Sequence, residues 1–266
     1  MKKVFLFLVI TGLTTMNAFS RKIETRPVSG FTGIDASSVF DITVTKGGTE
    51  SLTVEADDEV MPYVRSEVRS GVLHLYVDNS NKLKNIKALK ASIVMKNLDK
   101  VTLSGACKLT ANDLFTPDKF KGDCSGASNL TVNLNTNQLN IETSGACNIL
   151  IKANVTGDTN LKMSGASKIR GELKAVNVLF QSSGVGSIEL TGSATDIKMD
   201  ISGASKIITE DFTVKTATVK SSGSCKVTVN VSDHLKVNSS GASSVKYKGS
   251  PTLEVNNSIA SRVSKI

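Results

Sequence analysis

The chain has 266 residues, with 32 lysines and arginines against 24 aspartates and glutamates, and its formal net charge is +8. It contains only three tyrosines and no tryptophan, so it lacks the aromatic side chains on which nucleic-acid bases stack. Its two histidines, His74 and His234, are far apart in sequence, and metal sites need clustered histidines and cysteines. We therefore expect no nucleic-acid partner, no metal and no other cofactor.

The N-terminus has the pattern of an export signal. Met1-Lys2-Lys3 is followed by an apolar run from Val4 to Leu13 and then by Ala18-Phe19-Ser20. This order predicts a secretory signal peptide over residues 1–20, cleaved before Arg21. The apolar run is too short to span a bilayer, and no later segment is long enough. We expect an exported protein without a transmembrane span, located in the periplasm, the cell envelope or the extracellular space.

Residues 21–98 have alternating apolar and polar positions but no regular repeat. We predict a degenerate coil around Ser37-Ser38 and an antiparallel β cap. Strands over 40–44 and 51–55 flank Gly47-Gly48 and predict one hairpin. Strands over 63–68 and 72–77 flank Ser70-Gly71 and predict a second strand pair.

From residue 99 to residue 266 the chain repeats Ser-Gly followed by a small residue. The repeat serines are 18 to 21 residues apart, at Ser104, Ser125, Ser144, Ser164, Ser183, Ser202, Ser222 and Ser240. Self-similarity at about twenty residues is typical of a solenoid. Such a coil is too short to contain a crossover helix, so successive coils must pair directly through their strands.

Residues at the same distance from the repeat serine form lanes, and three lanes are almost wholly apolar. They lie five and three residues before the serine and five residues after it. The last lane consists of Leu109, Leu130, Ile149, Ile169, Ile188, Ile207, Val227 and Val245. Alternation at a period of two is typical of strands. The pattern predicts a parallel β-helix with two short strands around each Ser-Gly corner, a looser third segment, and an atypical last coil around Ser258–Ser261.

The four cysteines follow the same lanes. Cys107, Cys147 and Cys225 lie three residues after their serines, and Cys124 lies one residue before its serine. The first three belong to non-adjacent coils, which puts them too far apart for a disulfide bond. We predict small buried residues, because serine occupies the same lane in the other coils.

One outward lane, four residues after the serine, carries Lys108, Lys168, Lys206 and Lys226. Ordered positive charge on one face could bind anionic glycans or a lipopolysaccharide surface. The alternative is a solvated face that limits aggregation.

The candidate catalytic residues are Asp123 and Glu142, which lie two residues before their serines on neighbouring coils. Retaining glycosidases place two carboxyl groups at a similar separation. The same lane continues with Lys162, which can neutralise the pair, and no aromatic platform for a sugar ring accompanies it. A mixed surface ladder is therefore the alternative to a catalytic pair, and we assign no catalytic, cofactor-binding or metal-binding residue.

Several motifs together resemble a known family. The signal peptide, Phe31-Thr32-Gly33-Ile34-Asp35, the strand Phe40–Val44 and the Ser-Gly-Ala-Ser or Ser-Gly-Ala-Cys corners resemble the putative auto-transporter adhesin, head GIN domain family over about Val28 to Lys265. The resemblance implies an all-β, right-handed parallel β-helix in a family common in Bacteroidetes. It brings no catalytic motif.

The sequence thus predicts a secreted or cell-envelope β-solenoid with an adhesin-like binding role and no catalysis. Its partner would be a glycan or an envelope or surface protein. Two alternatives remain open: a carbohydrate-active β-helix enzyme that uses Asp123 and Glu142, and a structural, self-assembling envelope protein.

Overall fold

A computed structural model describes residues 21–83, 86 and 88–266, and the predicted signal peptide over residues 1–20 lies outside the described residues. The fold is a β-solenoid of about nine turns. Its strands join one sheet. In chain order they are β1 Arg21–Arg26, β2 Gly33–Ala36, β3 Asp41–Lys46, β4 Ser51–Asp57, β5 Val64–Arg69, β6 Val72–Val77, β7 Leu89–Met95, β8 Lys100–Leu103, β9 Lys108–Phe115, β10 Lys119–Cys124, β11 Asn129–Thr136, β12 Gln138–Thr143, β13 Asn148–Val155, β14 Asp158–Gly165, β15 Lys168–Lys174, β16 Asn177–Gly184, β17 Ser187–Gly203, β18 Lys206–Ser221, β19 Lys226–Ser239, β20 Ser244–Lys248, β21 Thr252–Asn257 and β22 Arg262–Lys265. Two short 3₁₀ helices cover Met61–Tyr63 and Ser80–Leu83.

Successive coils stack as parallel ladders that keep the lanes in register. Strands β10, β12, β14 and β16 form the ladder before the corners, and β11, β13 and β15 form the ladder after them. Phe120 is opposite Leu139, and Leu139 is opposite Thr159. Because the register does not slip there, each side chain lies directly above its counterpart in the next coil, which confirms the predicted parallel β-helix.

The core fills the inside of these coils. All three predicted apolar lanes are buried, from Leu109 to Val245 in the cleanest of them. Phe120, Phe180 and Phe212 are among the largest fully buried side chains. Alternate residues of each strand point outward and are partly or fully exposed, for example along β13. The alternation predicted from sequence is therefore confirmed.

Each corner brings backbones of neighbouring coils very close together. The Ala127 amide donates to the Gly105 carbonyl at 2.7 Å, and the Ala146 amide donates to the Gly126 carbonyl at 2.7 Å. The predicted degenerate coil at the front uses Ser38, with φ of 82°, in place of a glycine. Its strands fit the predicted lanes, since β2 pairs with β8 and β3 pairs with β9, both in parallel.

The third segment of each coil is tighter than predicted. Only Asn137 separates β11 from β12, and in later coils a single strand, such as Ser187–Gly203, runs through the position. The amides of this segment still pair with the preceding coil, as Asn137 donates to the Asp118 carbonyl at 3.0 Å. The loose-segment prediction was therefore partly wrong: strands run through the segment because buried backbone groups need partners, but the pairing shifts register within it, as between Glu189 and Gly192.

The first predicted hairpin was also wrong. Strands β3 and β4 do not pair with each other, because β7 lies between them, parallel to β3 and antiparallel to β4. Strand β1 then pairs antiparallel with the other edge of β4. The second predicted pair is confirmed, as β5 and β6 are antiparallel with Val68 opposite Leu73. The predicted boundary between residues 98 and 99 stays a prediction.

Candidate functional site

A groove of about 740 Å³ runs along the solenoid beside the Ser-Gly corners. Its long wall is the lane two residues before the repeat serines, which we call the groove lane: Thr102, Asp123, Glu142, Lys162, Gln181 and Asp200. These residues are register partners from one coil to the next. With strands about 4.8 Å apart, the six positions extend over roughly 24 Å.

The repeat serines line the groove with hydroxyl groups. Ser125 donates its hydroxyl proton to the Leu103 carbonyl at 3.3 Å, and Ser164 donates to the Thr143 carbonyl at 3.1 Å. These two hydroxyls thereby use their protons on carbonyl groups of the preceding coil. Because a hydroxyl oxygen also accepts hydrogen bonds, the groove presents a regular row of acceptors to anything that lies in it.

Five charged side chains line the groove; Asp200 lies at one end of the groove lane, and the other four form two ion pairs. Lys121 Nζ lies 3.1 Å from Asp123, and Lys162 Nζ lies 3.4 Å from Glu142. The neutralising role predicted for Lys162 holds for Glu142, whereas Asp123 is neutralised by Lys121. Sequence reasoning missed Lys121, although its spacing of two from Asp123 places both side chains on the same face of one strand.

The structure places Asp123 and Glu142 opposite each other on β10 and β12. Their carboxylates are nevertheless engaged with different lysines, Asp123 within its own strand and Glu142 with the following coil. Each carboxylate is thus held by a lysine of its own, which is the arrangement of a mixed polar ladder on a surface. The catalytic role of the pair stays a prediction.

The predicted lysine face lies on the other side of the corner and is interrupted. Lys108 pairs with Asp41 at 3.7 Å, and Lys168 pairs with Glu189 at 3.1 Å. Lys206 and Lys226 are neighbours on adjacent coils. The positive charge of this face is therefore concentrated at that one place.

The four cysteines are buried and unbridged, in the lanes predicted for small buried residues. Burial raises the pKa of Cys107 to about 11 and that of Cys124 to about 12. Cys225 Sγ lies 3.2 Å from the Ser222 carbonyl, and in the next coil the Ser243 hydroxyl donates to the Ser240 carbonyl at 3.0 Å. Cysteine and serine thus fill the same corner position in the same way.

The residues that the structure describes contain no group of three or more histidine, cysteine, aspartate or glutamate side chains that could hold a metal ion. Over the same residues, none of the helices has the length and apolar character needed to cross a membrane.

Comparison with solved structures identifies similar folds. A putative adhesin from Parabacteroides merdae superimposes with a TM-score of 0.68 at 20% identity, covering 92% of this chain and 96% of that one. A putative adhesin from Parabacteroides distasonis gives 0.67 at 19% identity, with 94% and 98% covered. A protein described as a putative lipid binding protein, also from Parabacteroides distasonis, gives 0.66 at 16% identity, with 92% and 96% covered. At such identities the likeness shows the fold alone.

Comparison by sequence identifies the family. A search of curated proteins finds no match. The family described as "Putative auto-transporter adhesin, head GIN domain" matches residues 30–159 and 142–251. Together these two matches cover most of the chain, including the first coil and the Ser-Gly repeats. The chain therefore belongs to the putative auto-transporter adhesin, head GIN domain family.

Proposed function

We propose that this protein is an exported binding protein whose groove holds an extended glycan chain. The observation that carries the proposal is the groove itself, in which polar groups recur at each coil over six successive strands. A chain lying along the solenoid axis would meet a similar set of hydrogen-bonding groups every 4.8 Å or so. The family description as an adhesin is consistent with such a role.

The chemistry of the groove suits a hydroxyl-rich polymer. Serine hydroxyls can accept hydrogen bonds, and the ion pairs at Asp123 and Glu142 can each accept or donate without leaving a strong net charge. An acyl chain would leave these polar groups without partners, which is costly. The groove therefore favours a neutral or weakly charged glycan over a lipid.

Affinity must come from many weak contacts, because the groove has no aromatic side chain in its lining. Exposed ion pairs and hydroxyls each contribute little, on the order of 1 kcal/mol or less. Contacts repeated over several coils act on one ligand and add up. We expect binding to strengthen with glycan length until the chain covers the groove.

The test is saturable binding of the mature chain, residues 21–266, to an array of host and bacterial glycans. Replacing both members of the groove ion pair, Glu142→Ala with Lys162→Ala, should weaken binding by up to about fivefold, which corresponds to about 1 kcal/mol. The matched control is Lys168→Ala with Glu189→Ala, which removes an ion pair of similar geometry outside the groove. Equal effects of both double variants, or no saturable binding, would contradict the proposal.

The same array separates the alternatives. Products released from a bound polymer, lost on replacing Asp123 and Glu142 by alanine, would support a carbohydrate-active enzyme instead. Binding that disappears at high salt and on replacing Lys206 and Lys226 by serine would move the site to the lysine face. Absence of both binding and products would favour a structural envelope protein.

A further inference from the structure

Positive charge collects on one part of the face that follows the corners, which we call the basic patch. Four neighbouring strands, β18, β19, β20 and β22, carry it. Its five side chains point outward and are exposed: Lys206, Lys226, Lys246, Lys248 and Arg262. Over the paired segments 206–210, 226–230, 244–248 and 262–265, Glu210 is the one acidic residue. The patch is therefore strongly positive.

The cations of the basic patch are not neutralised within the chain. None of the five forms an ion pair with a residue that the structure describes. Lys206 lies directly opposite Lys226. Lys246 lies diagonal to Lys226, because it is opposite Thr228. Like charges on neighbouring strands destabilise a sheet, so the patch opposes folding unless an anionic partner neutralises it.

The same face is neutralised in the N-terminal coils. There the lane that later contains Lys206 alternates in sign along β4, β7, β3 and β9: Glu55, Lys90, Asp41 and Lys108. Lys90 Nζ lies 3.6 Å from Glu55, and Lys108 Nζ lies 3.7 Å from Asp41. Opposite charges on neighbouring strands stabilise a sheet. This lane can thus be built from paired charges, and the unpaired cations are a specific feature of the C-terminal coils.

The arrangement of the basic patch fits a charged surface better than a single charged chain. Across the strands the patch covers three strand spacings, roughly 14 Å, and along the strands it covers four residues, roughly 13 Å. A linear polyanion would follow one line of cations, whereas lipid headgroups present phosphates in two dimensions. The five side chains project from one sheet face, and none of them lines the groove. A planar surface can therefore approach all five together.

We propose that the basic patch binds an anionic lipid surface through the headgroup phosphates. Each cation close to such a surface strengthens binding by about a factor of five, and salt screens the attraction. Arg262 can donate two hydrogen bonds to one phosphate, whereas the four lysines act as point charges. The groove lies on the other side of the corners, so lipid binding leaves it accessible. This second binding site is independent of the proposed glycan site.

The test is co-sedimentation of residues 21–266 with vesicles of phosphatidylcholine and phosphatidylglycerol. We expect binding that weakens with added salt and that is absent with vesicles of phosphatidylcholine alone. Lys206→Ser with Lys226→Ser should raise the dissociation constant by about 25-fold. The matched control is Lys198→Ser with Lys220→Ser, which removes the same charge from exposed lysines of the same coils, before the corner instead of after it. Its effect should stay below about threefold, because those lysines lie on another face.

A charge series at one position tests whether the binding is electrostatic. Lys246→Ser should weaken vesicle binding by about fivefold and Lys246→Glu by about 25-fold, because the second change alters the charge by two units. Circular dichroism would verify that each variant is folded. Equal losses in the two lysine double variants, or no binding to the anionic vesicles, would overturn the proposal. Binding to heparin, a linear polyanion, at salt concentrations that abolish vesicle binding would also overturn it. Glycan binding in the groove should survive all these changes, so the two proposals can fail separately.

Discussion

Replacing Gly145 by alanine should destabilise the solenoid more than any comparable change on its surface. Gly145 forms the third Ser-Gly corner with φ of +98°, in the left-handed region. A Cβ atom placed there would lie 2.5 Å from the Gly126 carbonyl oxygen and 3.0 Å from the Gly126 nitrogen. The same carbonyl accepts the Ala146 amide at 2.7 Å, so the two coils cannot move apart without stretching a hydrogen bond between them.

The magnitude follows from two costs. A non-glycine residue in the left-handed region costs roughly 1–2 kcal/mol. Forcing an extra methyl group against a packed backbone costs about 1–3 kcal/mol more. We therefore expect Gly145→Ala to lower the free energy of unfolding by about 2–5 kcal/mol, a large part of the total stability of a protein of this size.

Urea unfolding followed by far-ultraviolet circular dichroism would measure the change. The control is Gly48→Ala, because Gly48 lies outside the left-handed region and a Cβ atom added to it would have no other atom within 4 Å; its effect should stay within about 0.5 kcal/mol. Stacked repeats can unfold in steps, so hydrogen exchange should locate the weakened coils around residues 126 to 165. A folded Gly145→Ala variant with the midpoint of the wild-type chain would refute the reasoning.

Three further changes test the interior. The buried Thr159 hydroxyl has no hydrogen-bond partner among the described residues, so Thr159→Val should raise the free energy of unfolding by about 1 kcal/mol in urea titrations. Thr136→Val should lower it by about 1–3 kcal/mol, since that hydroxyl lies 3.0 Å from two carbonyl oxygens; shifts of equal sign would contradict one of the two expectations. Burial raises the pKa of Cys124 from 9.0 to about 12, so the thiol ionises first in the unfolded chain. The stabilisation that the neutral, buried thiol gives to the folded state is complete below pH 9.0 and is lost as the pH rises towards 12. The free energy of unfolding falls over this range by up to about 1.4 kcal/mol per pH unit. Cys124→Ser should reduce this alkaline loss in unfolding titrations, and unchanged pH dependence would disprove it.

The repeat made most of the solenoid predictable. Once residues are aligned on the repeat serine, the strand period decides which lanes face inward, and the register between coils is fixed by the burial of those lanes. Leu109 and Val245 belong to one lane at opposite ends of the repeat, and both are buried. Aligning the residues on the repeat serine therefore predicts, for every coil, which side chains point inward and which point outward.

The N-terminal part was less predictable because its pairings are not local. Gly47-Gly48 between two alternating segments is a typical hairpin signal, yet β7 occupies the edge of β3 that the hairpin would have used. Nothing near Gly47 in the sequence indicates that a strand forty residues later takes this place. Which strands pair with β3 depends on the whole first coil, because β3 pairs with β9 as well as with β7.

The groove was predictable as a lane but not as a site. Alignment alone placed Asp123 beside Glu142 and Lys162 after them, which the structure confirms. The partner of Asp123 could not be chosen from the sequence, because Lys121 lies two residues away on the same strand and Lys162 lies in the same lane. The concavity that turns this lane into a groove depends on how the corner bends, and that geometry has no sequence signal of its own.

A regular repeat also limits how precisely a ligand can be positioned along the solenoid. Differences between the groove residues reduce this limitation. A ligand with its own regular spacing would fit a perfectly repeated ladder in several registers of equal energy, one coil apart. The groove lane avoids this degeneracy because its order of charges does not repeat: Thr102 and Gln181 are neutral, Asp123, Glu142 and Asp200 are acidic, and Lys162 is basic. Hydroxyls common to every corner would then supply affinity, and the unequal ion pairs would fix where the chain starts. The double variant Glu142→Lys with Lys162→Glu should therefore change which part of a long glycan lies in the groove. Its effect on the dissociation constant should be smaller.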